Sequence, residues 1–242
     1  MIKVSVIIKA LNEEAHIARA IESALRTVAE VGGEVILADS LSTDRTVEIA
    51  RGYPVGIAQL LHPQDRCCGV GPQLGFQYAK GEFVYILDGD MELQPGFLEQ
   101  ALAMMAQDPT LAGIGGRVRE CNLQSLEYQA RQERAPVNLQ AGFVDRLDGG
   151  GLYRRSALEQ VGFFTNQNLH AYEEFDLAVR LRALNYRLYR LDRHAVDHHG
   201  HTLPAYQLLR KRWYNRYLCG VGEVLRGAVG QPHLRLVLTD LR

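Results

Sequence analysis

Two aspartates separated by a single glycine follow an apolar stretch of the sequence. Asp88 and Asp90 come directly after Phe83-Val84-Tyr85-Ile86-Leu87, a short run of β-branched and aromatic residues that predicts a buried strand. The carboxyl ends of strands form the ligand crevice of an open α/β sheet. Two carboxylates at this point are well placed to hold a divalent cation, which in turn would bind phosphate oxygens. The alternative is an ordinary turn, because Asp-Gly is common turn chemistry.

Polar and acidic residues also follow the first two predicted strands. Asn12, Glu13 and Glu14 come after the apolar run Val4-Ser5-Val6-Ile7-Ile8, and Asp39 ends the second strand. Carboxylates gathered at one sheet edge repel one another unless they bind a cation or accept hydrogen bonds from a ligand. Asp39 is a candidate acceptor for a base imide or a ribose hydroxyl. Its alternative role is an N-cap or turn residue ahead of the next helix.

The order of the predicted elements indicates an α/β fold with a mainly parallel sheet. Strands at 4–8, 34–39, 83–87 and, more weakly, 55–60 alternate with helices at 17–28, 45–50 and 73–79. This alternation is typical of a parallel sheet with helices on both faces. Further along, the pattern predicts a helix at 95–105, a strand at 112–118, an irregular stretch to about residue 151, a helix at 173–184, a strand at 187–191 and one last helix at 204–226.

Composition and charge narrow the classes of protein that need to be considered. The chain has 242 residues, of which 47% are hydrophobic and 23% charged, as in ordinary soluble proteins. The net charge of −1 gives no global field that would attract nucleic acid. The four cysteines lack the spacing of zinc ligands and are expected to be free thiols. With no export signal before the first strand and no apolar run of about 20 residues, we expect a cytoplasmic location.

The glycines between Gly69 and Gly75 are spaced somewhat like a dinucleotide-binding fingerprint. That fingerprint belongs directly after the first strand, where this sequence has no glycine, and Pro72 lies inside the segment. A nicotinamide or flavin cofactor is therefore not expected.

Several short segments occur in a specific order and in consistent strand contexts. They are Val4-Ser5-Val6-Ile7-Ile8 followed by Ala10-Leu11-Asn12-Glu13-Glu14, Asp39 with Ser42-Thr43-Asp44, and Gly81-Glu82 before Leu87-Asp88-Gly89-Asp90. This ordered set resembles the family-2 inverting glycosyltransferases with the GT-A fold, over about the first hundred residues and again around Glu173. The resemblance implies transfer of a sugar from a nucleotide-diphosphate donor, assisted by Mn²⁺ or Mg²⁺.

The resemblance also implies roles for individual residues. Asp39 matches the acid that reads the base, Asp88 the acid near the ribose and metal, and Asp90 the principal metal ligand. The turn containing Ala10, Asn12 and Glu14 would grip the nucleoside together with Asp39. The implied organisation is a single domain over residues 1–242, with a donor half at 1–110 and an acceptor half, including the last helix, at 111–242.

The sequence departs from the family pattern at two places. The turn after the first strand is Lys9-Ala10-Leu11-Asn12, where the family has Pro-Ala-Tyr-Asn, so the aromatic ring that commonly stacks on uracil is absent. UDP-sugars remain the favoured donors. The family's Ala-Arg-Asn is replaced by Gly71-Pro72-Gln73, so its diphosphate-binding arginine is missing from that position. Arg66, just upstream, is the candidate to supply this charge.

The segment Tyr172-Glu173-Glu174-Phe175-Asp176 resembles the family's acidic block at the start of an acceptor-side helix. Inversion by direct displacement needs a carboxylate that takes the proton of the acceptor hydroxyl. Glu174 stands at the position of the family's base, and Glu173 is the nearest rival. The alternative is structural, because acidic residues complement the dipole in the first turn of any helix.

Three imidazoles lie within the segment His198-His199-Gly200-His201, a composition that is typical of a metal-binding tract. The resemblance implies that one histidine after the last strand completes the metal shell or contacts the diphosphate. His198 is the better match and His201 the second. Exposed loop histidines are the alternative. A structural zinc site is not expected because no cysteine shares the segment.

Two further segments suggest contacts with the acceptor. Asp148-Gly149-Gly150-Gly151 falls where the family has its acceptor-contacting loop, and its glycines would let the backbone approach a sugar ring closely. The stretch 208–218 mixes cations with aromatic residues. It is predicted either to pack on the core, to clamp donor phosphates or to lie on a membrane that carries a lipid-linked acceptor. A carbohydrate or another small molecule is the alternative acceptor.

Three other functions stay open at this point. A sugar-1-phosphate nucleotidyltransferase has a similar sheet and metal, but it would need a Gly-rich basic loop after the first strand, which Lys9-Ala10-Leu11-Asn12 does not supply. A retaining transferase on the same fold differs in the anomeric configuration of its product. A catalytically silent nucleotide-sugar-binding module would bind nucleotide without turnover.

Overall fold

The computed structural model describes residues 2–122, 137–200 and 204–241. Within these residues, one sheet of nine strands contains strands from both halves of the chain. Its strand order is β3-β2-β1-β4-β8-β6-β9-β5, and β7 also pairs with β9, at Leu188 to Arg190, whereas β5 pairs with Val196 to His198.

The first half of the fold is the predicted parallel unit. Its elements are β1 Val4–Ala10, α1 Ile17–Val31, β2 Gly33–Asp39, α2 Thr46–Ala50, β3 Gly56–Gln59, α3 Val70–Tyr78 and β4 Phe83–Asp88, with a short 3-10 helix at Pro63–Asp65. Strands β1 to β4 pair in parallel, with β1 between β2 and β4. Parallel strands that are buried on both faces read as continuous apolar runs, which is why the sequence pattern predicts these elements to within a few residues.

The second half of the fold is mixed rather than parallel. Its elements are β5 Met91–Leu93, α4 Phe97–Gln107, β6 Leu111–Glu120, β7 Gly142–Val144, β8 Gly151–Arg154, α5 Arg155–Gln160, α6 Glu173–Ala183 and β9 Arg187–His198. Strand β8 runs antiparallel to β4 and β6, and β9 is parallel to β6 but antiparallel to β5 and β7. Parallel pairing therefore describes the first half well, while four antiparallel pairings enter after residue 90.

The chain ends in helices whose arrangement corrects a prediction. The sequence pattern predicts one helix over residues 204–226, and this prediction is wrong. The structure has α7 Ala205–Tyr214, a 3-10 turn at Tyr217–Cys219, α8 Gly220–Ala228 and α9 Leu234–Asp240. The first break comes at Arg216, whose φ of 55° is left-handed and cannot continue a helix. An arginine gives no sequence signal for such a break.

The core lies on both faces of the sheet. On one face, Val6 and Ile8 of β1 pack with α1 and α4. On the other, Ile7 of the same strand packs with Leu158 of α5 and Leu177 of α6. This division follows from the alternation of side chains along a strand. A third, smaller cluster joins α6 to α8 and α9.

Candidate active site

Three strands of the parallel half end at the same edge of the sheet. The register pairs Ala10 with Asp39 on one side, and Lys9 with Asp88 on the other. The predicted donor residues at the ends of β1, β2 and β4 therefore do lie together, as the parallel topology requires. This edge is the base of the candidate active site.

Glu13 adds a third carboxylate to the pair formed by Asp88 and Asp90. A Cβ atom at Gly89 would lie 2.8 Å from Glu13 Cγ, so the glutamate packs directly over the turn between the two aspartates. Burial raises the pKa of Glu13 to about 8, and the charges of Asp90 and Asp88 add to the rise. From the sequence, Glu13 is predicted to be one of the polar residues at this edge, but no role in the site is predicted for it. Its importance depends on the way the turn after β1 folds over Gly89.

His198, the first candidate among the histidines, lies against Asp90. Its Nε2 is 3.2 Å from Asp90 Oδ2, and its Nδ1 is 2.7 Å from Glu120 Oε2. The antiparallel register that sets Met91 opposite His198 brings these groups together. Burial alone would lower the pKa of His198, but the hydrogen bonds to Asp90 and Glu120 raise it to about 10.

The two aspartates have different electrostatic environments. Burial raises the pKa of Asp88, and the Lys9 charge only partly opposes this. Burial also opposes ionisation of Asp90, but the hydrogen bond and charge of His198, together with a backbone hydrogen bond and the His16 charge, outweigh it and lower the pKa. Asp90 is therefore the carboxylate of the pair that is held ionised by its surroundings.

The donor set fits a divalent cation that is shared with phosphate. The side chains of Glu13, Asp88, Asp90 and His198 offer oxygen and nitrogen ligands, and the buried Asp88 Oδ1 makes no hydrogen bond. Among the described residues, no three acidic, histidine or cysteine side chains form a ready-made cage. Mg²⁺ in particular is usually held by one or two carboxylates plus substrate phosphates, so an incomplete protein cage is the expected form of such a site. His201, the second candidate ligand, lies outside the described residues.

The neighbouring histidine has a different environment. His199 Nε2 is 2.7 Å from Glu92 Oε1, and its ring stacks on that of His16. These contacts occupy the side chain of His199 beside the acidic edge.

Lys9 connects the acidic edge to the start of α6. Its Nζ lies 3.0 Å from Asp88 Oδ1, at an angle that does not make a hydrogen bond, and it donates a hydrogen bond of 3.2 Å to Glu173 Oε1. Burial alone would lower the pKa of Lys9, but the carboxylates of Asp88 and Glu173 raise it well above its usual value. Sequence reasoning noted this lysine only as a departure from the family pattern.

The two adjacent glutamates at the start of α6 have different partners. Glu173 is buried and accepts the hydrogen bond from Lys9. Glu174 is half-buried and has no hydrogen-bond or ion-pair partner within the described part of the chain. Burial raises the pKa of Glu174 well above its usual value, Lys9 opposes the rise, and the Asp148 charge adds to it. Glu174 is thus a carboxylate that is not committed to a protein contact.

A pocket lies between this helix and the sheet. Lys9, Glu173 and Glu174 line it on the charged side, and Tyr153 and Phe164 are among its apolar residues. This cavity is narrow, and the Glu174 carboxyl group and the two aromatic rings border it together.

Asp39 is fully buried and is already hydrogen-bonded within the protein. Its carboxylate accepts the Ser42 N–H at 3.1 Å and the Gln59 side-chain amide at 2.9 Å. The hydrogen bond from Ser42 is typical of an aspartate that stabilises a turn, which is the alternative role for Asp39.

The predicted nucleoside-binding turn is tied to the turn after β2. Asn12 Oδ1 accepts the Thr43 N–H at 2.7 Å, and Glu14 accepts the Arg45 N–H at 3.1 Å. The Ala10 carbonyl accepts the Ser40 N–H at 2.9 Å. The side chains of Asn12 and Glu14 therefore hold the turn after β1 against the turn after β2.

Arg66 lies beside the same turn. Its guanidinium donates to the carbonyls of Ser40, at 2.8 Å, and Leu41. The positive charge is therefore held next to the Asp39 turn, upstream of α3.

The loop before β8 is held by a buried arginine. Arg190 of β9 donates to the carbonyls of Asn138 at 2.7 Å, Asp148 at 3.1 Å and Gly116. The Asn138 amide in turn donates to Asp148 Oδ2 at 2.5 Å. Gly149 and Gly150 have φ values of 78° and 93°, which favour glycine. The predicted acceptor loop is thus a turn that hydrogen bonds from Arg190 and Asn138 hold in place. The charge of its Asp148 raises the pKa of Glu174.

The mixed sheet, with the acidic edge at the ends of its parallel strands, has the GT-A fold. S. aureus TarS 1–349 in complex with UDP-GlcNAc matches with a TM-score of 0.69 and 19% identity, over 85% of this chain and 61% of that chain. The mannosyltransferase PcManGT from Pyrobaculum calidifontis, in complex with GDP-Man and Mn²⁺, matches with a TM-score of 0.67 and 20% identity, over 98% of this chain and 68% of the other. Similarity at this level of identity shows the fold.

The sequence match gives the family. The model described as Glycosyl transferase family 2 matches residues 5–162, and the chain belongs to this family. Glucomannan 4-beta-mannosyltransferase 7 from Arabidopsis thaliana is 27% identical over 161 residues. That alignment covers 62% of this chain but only 28% of the relative. The chain therefore spans little more than a quarter of that relative's length.

Proposed function

We propose that this chain transfers a sugar from a nucleotide-diphosphate donor, with UDP-sugars favoured, to an acceptor hydroxyl with inversion of the anomeric centre. One observation carries the proposal. Asp88 and Glu173 both lie within 3.2 Å of the Lys9 ammonium, and Glu174 is the next residue along α6. The acids suited to the donor and the acid suited to the acceptor therefore belong to one cluster.

The donor side of the proposal rests on residues 1–110. Asp39 and the turn containing Ala10, Asn12 and Glu14 would shape the nucleoside site, and Arg66 would add charge near the diphosphate. Asp88, Asp90 and His198, together with Glu13, would hold a divalent cation, Mn²⁺ or Mg²⁺. When bound, such an ion neutralises the charge that develops on the leaving diphosphate. Relatives of the same fold have been solved with UDP-GlcNAc, and with GDP-Man and Mn²⁺.

The acceptor side of the proposal rests on residues 111–242, within the same domain. Glu174 would take the proton of the acceptor hydroxyl as the oxygen attacks the sugar carbon, because its carboxylate has no other partner among the described residues. Glu173 would be held by Lys9 and would serve to position its neighbour. Asp148 and the glycines after it would border the acceptor, which we expect to be a carbohydrate or another molecule with a hydroxyl group. The four free cysteines support a cytoplasmic location.

Replacement of Glu174 tests this proposal. General-base catalysis contributes about 10²- to 10⁴-fold, so Glu174→Gln should lower kcat by that factor while nucleotide binding persists. Glu159→Gln, on the exposed side of α5, is the matched control and should retain full activity. The measurement is sugar transfer from a panel of nucleotide sugars, with the product anomer assigned by NMR. Transfer with retention, or a Glu174→Gln variant with near-normal kcat, would contradict the proposal.

A further inference from the structure

Helix α7 and the 3-10 turn after it expose an unusual number of large apolar side chains. Tyr206 is 78% exposed, Trp213 71% and Tyr214 72%. We call the group formed by Tyr206, Leu209, Trp213, Tyr214, Tyr217 and Leu218 the α7 surface; all six are exposed. Exposed apolar groups that are this concentrated mark a binding surface rather than the ordinary scatter of surface residues.

The exposed residues follow the helical repeat. Tyr206, Leu209 and Trp213 recur at i, i+3 and i+7, which sets them on one side of the helix. Leu208 and Arg212, which are four residues apart, are half-buried and face the protein. The helix therefore has one side against the protein and one aromatic side that no described residue covers.

Cations accompany the aromatic rings, and no acid offsets them. Arg210, Lys211, Arg212 and Arg216 lie in this segment, whereas residues 198–222 contain no aspartate or glutamate. The whole chain, by contrast, has a net charge of −1. The Arg210 guanidinium lies 5.7 Å from the centre of the Tyr214 ring, so charge and aromatic surface are adjacent. This patch is strongly cationic on a protein that is otherwise nearly neutral.

We propose that the α7 surface docks on an anionic lipid bilayer, with the helix lying in the plane of the interface. Tyrosine and tryptophan are suited to the headgroup level, because an apolar ring carries a polar tip. Arginine and lysine beside them attract anionic lipid, and long cationic side chains can bury their stems while their charges stay in the interface. A basic amphipathic helix with exposed aromatic residues is the typical form of such a contact.

A second copy of the chain is a poorer occupant of this surface. A two-fold interface brings the same patch of each subunit together, so the four cations of one copy would face those of the other. No acidic residue between 198 and 222 is available to offset this repulsion. The charge pattern therefore favours an anionic surface.

One cation of α7, Lys211, lies within electrostatic reach of the candidate active site. Burial and the charges of Asp90 and Asp88 raise the pKa of Glu13 at the acidic edge. The positive charge of Lys211 on α7 lowers this pKa. Helix α7 is therefore a neighbour of the acidic edge. If the proposed function holds, the acceptor hydroxyl then belongs to a lipid-linked molecule; the docking itself does not depend on transferase activity.

The sequence provides a reporter at the centre of the surface. Trp213 is the only tryptophan in the chain, so intrinsic tryptophan emission reports on this position alone. Vesicles of phosphatidylcholine with phosphatidylglycerol should shift its emission to the blue and protect it from acrylamide quenching. High salt should weaken the effect, because it screens the attraction between the cations and the lipid.

Paired variants separate charge from general surface effects. Each cation near an anionic membrane is worth about fivefold in affinity, so Arg210→Gln with Arg216→Gln should weaken vesicle binding by roughly 30-fold. Arg26→Gln with Arg51→Gln, two exposed arginines elsewhere, should leave it unchanged. Tyr206→Ser should weaken binding, whereas Tyr78→Ser, at a tyrosine that is 59% exposed on α3, should not.

Three results would overturn the proposal. The first is unchanged Trp213 emission with anionic vesicles while the protein remains folded. The second is equal binding to vesicles of phosphatidylcholine alone. The third is a blue shift that depends on protein concentration without lipid, which would assign the surface to a second copy. Each variant is compared at matched thermal stability, so a folding defect is distinguished from lost docking.

Discussion

At the scale of single residues, the candidate site is organised around the Lys9 ammonium. It lies beside Asp88 on one side and hydrogen-bonds Glu173 on the other, which leaves Glu174 without a partner in the described chain. Two chemically identical neighbours on α6 are thereby given different environments. The first is held by the lysine, and the second is left available to a ligand.

The pH dependence of the reaction tests the environment of Glu174. A base must be deprotonated, so a raised pKa moves the acidic limb of kcat/KM upward from about pH 4.3, the usual range of a glutamate. Activity should therefore be lost as the pH falls through this higher pKa. Because Lys9 opposes the rise, Lys9→Met should move the limb further upward.

Lys3→Met is the matched control for this experiment. Lys3 pairs with Glu82 at the exposed opposite end of β1, so its removal should leave the pH profile unchanged. An acidic limb that is the same in wild type and Lys9→Met would show that Lys9 does not act on Glu174, the proposed base.

The residues of the acidic edge are predictable from the sequence, whereas the role of Lys9 is not. Asp39, Asp88 and Asp90 end strands whose apolar runs are clear, so the topology alone brings them together. The contact between Lys9 and Glu173 joins residues 164 positions apart. Its existence depends on how α6 approaches the sheet, which local pattern does not determine.

At the scale of secondary-structure elements, a buried arginine connects the loop before β8 to the sheet. Arg190 is 1% exposed and donates to three backbone carbonyls. Arg190→Met keeps much of the volume but leaves these acceptors without donors. We expect a loss of about 3 kcal/mol in the free energy of unfolding, measured in urea.

The control for Arg190 lies on the same strand. Arg187 pairs with Asp108 at an exposed position, so Arg187→Gln should cost about 1 kcal/mol or less. Equal losses for the two variants would contradict the structural role of the buried guanidinium.

Helix α3 approaches β1 closely at a glycine. A Cβ atom at Gly75 would lie 2.3 Å from Ile7 Cγ2, so Gly75→Ala should destabilise the protein by roughly 1–3 kcal/mol. Gly222→Ala in α8 is the control, because no described atom lies within 4 Å of its added methyl group. That variant should be neutral or more stable by up to about 1 kcal/mol. The measurement is the thermal unfolding of both variants. A Gly75→Ala variant at least as stable as Gly222→Ala would contradict the close packing of α3 on β1.

The elements that sequence analysis missed share a physical reason. Strands β5, β7 and β8 have only three or four residues, which is too short for a period of two to be recognised. Their pairing with β4, β6 and β9 stabilises them, so tertiary contacts rather than local preference decide their structure. The long elements α1, β1, β2 and β4 were predictable because their apolar repeats are strong.

At the scale of the whole molecule, the C-terminal helices are joined to the candidate acceptor side. His170, just before α6, bonds to Glu223 of α8 through both its backbone N–H and its Nδ1. Val224 and Val237 pack with Phe175 of α6 in a common cluster. The position of Glu174 therefore depends on packing that involves residues after 220.

Within the described residues, no helix has the length and apolar character needed to cross a bilayer.

The central claim is that the acidic edge binds a nucleoside diphosphate together with a divalent cation. The direct measurement is thermal unfolding with UDP, GDP, dTDP, CDP and ADP, each with and without Mn²⁺. At about 100 times the dissociation constant, binding should stabilise the protein by about 2.7 kcal/mol, which raises Tm by several degrees. We predict a rise with one base that requires Mn²⁺, is lost in Asp90→Ala and is retained in Asp192→Ala, at an exposed aspartate. No rise with any nucleotide, or an equal rise in Asp90→Ala, would contradict the claim.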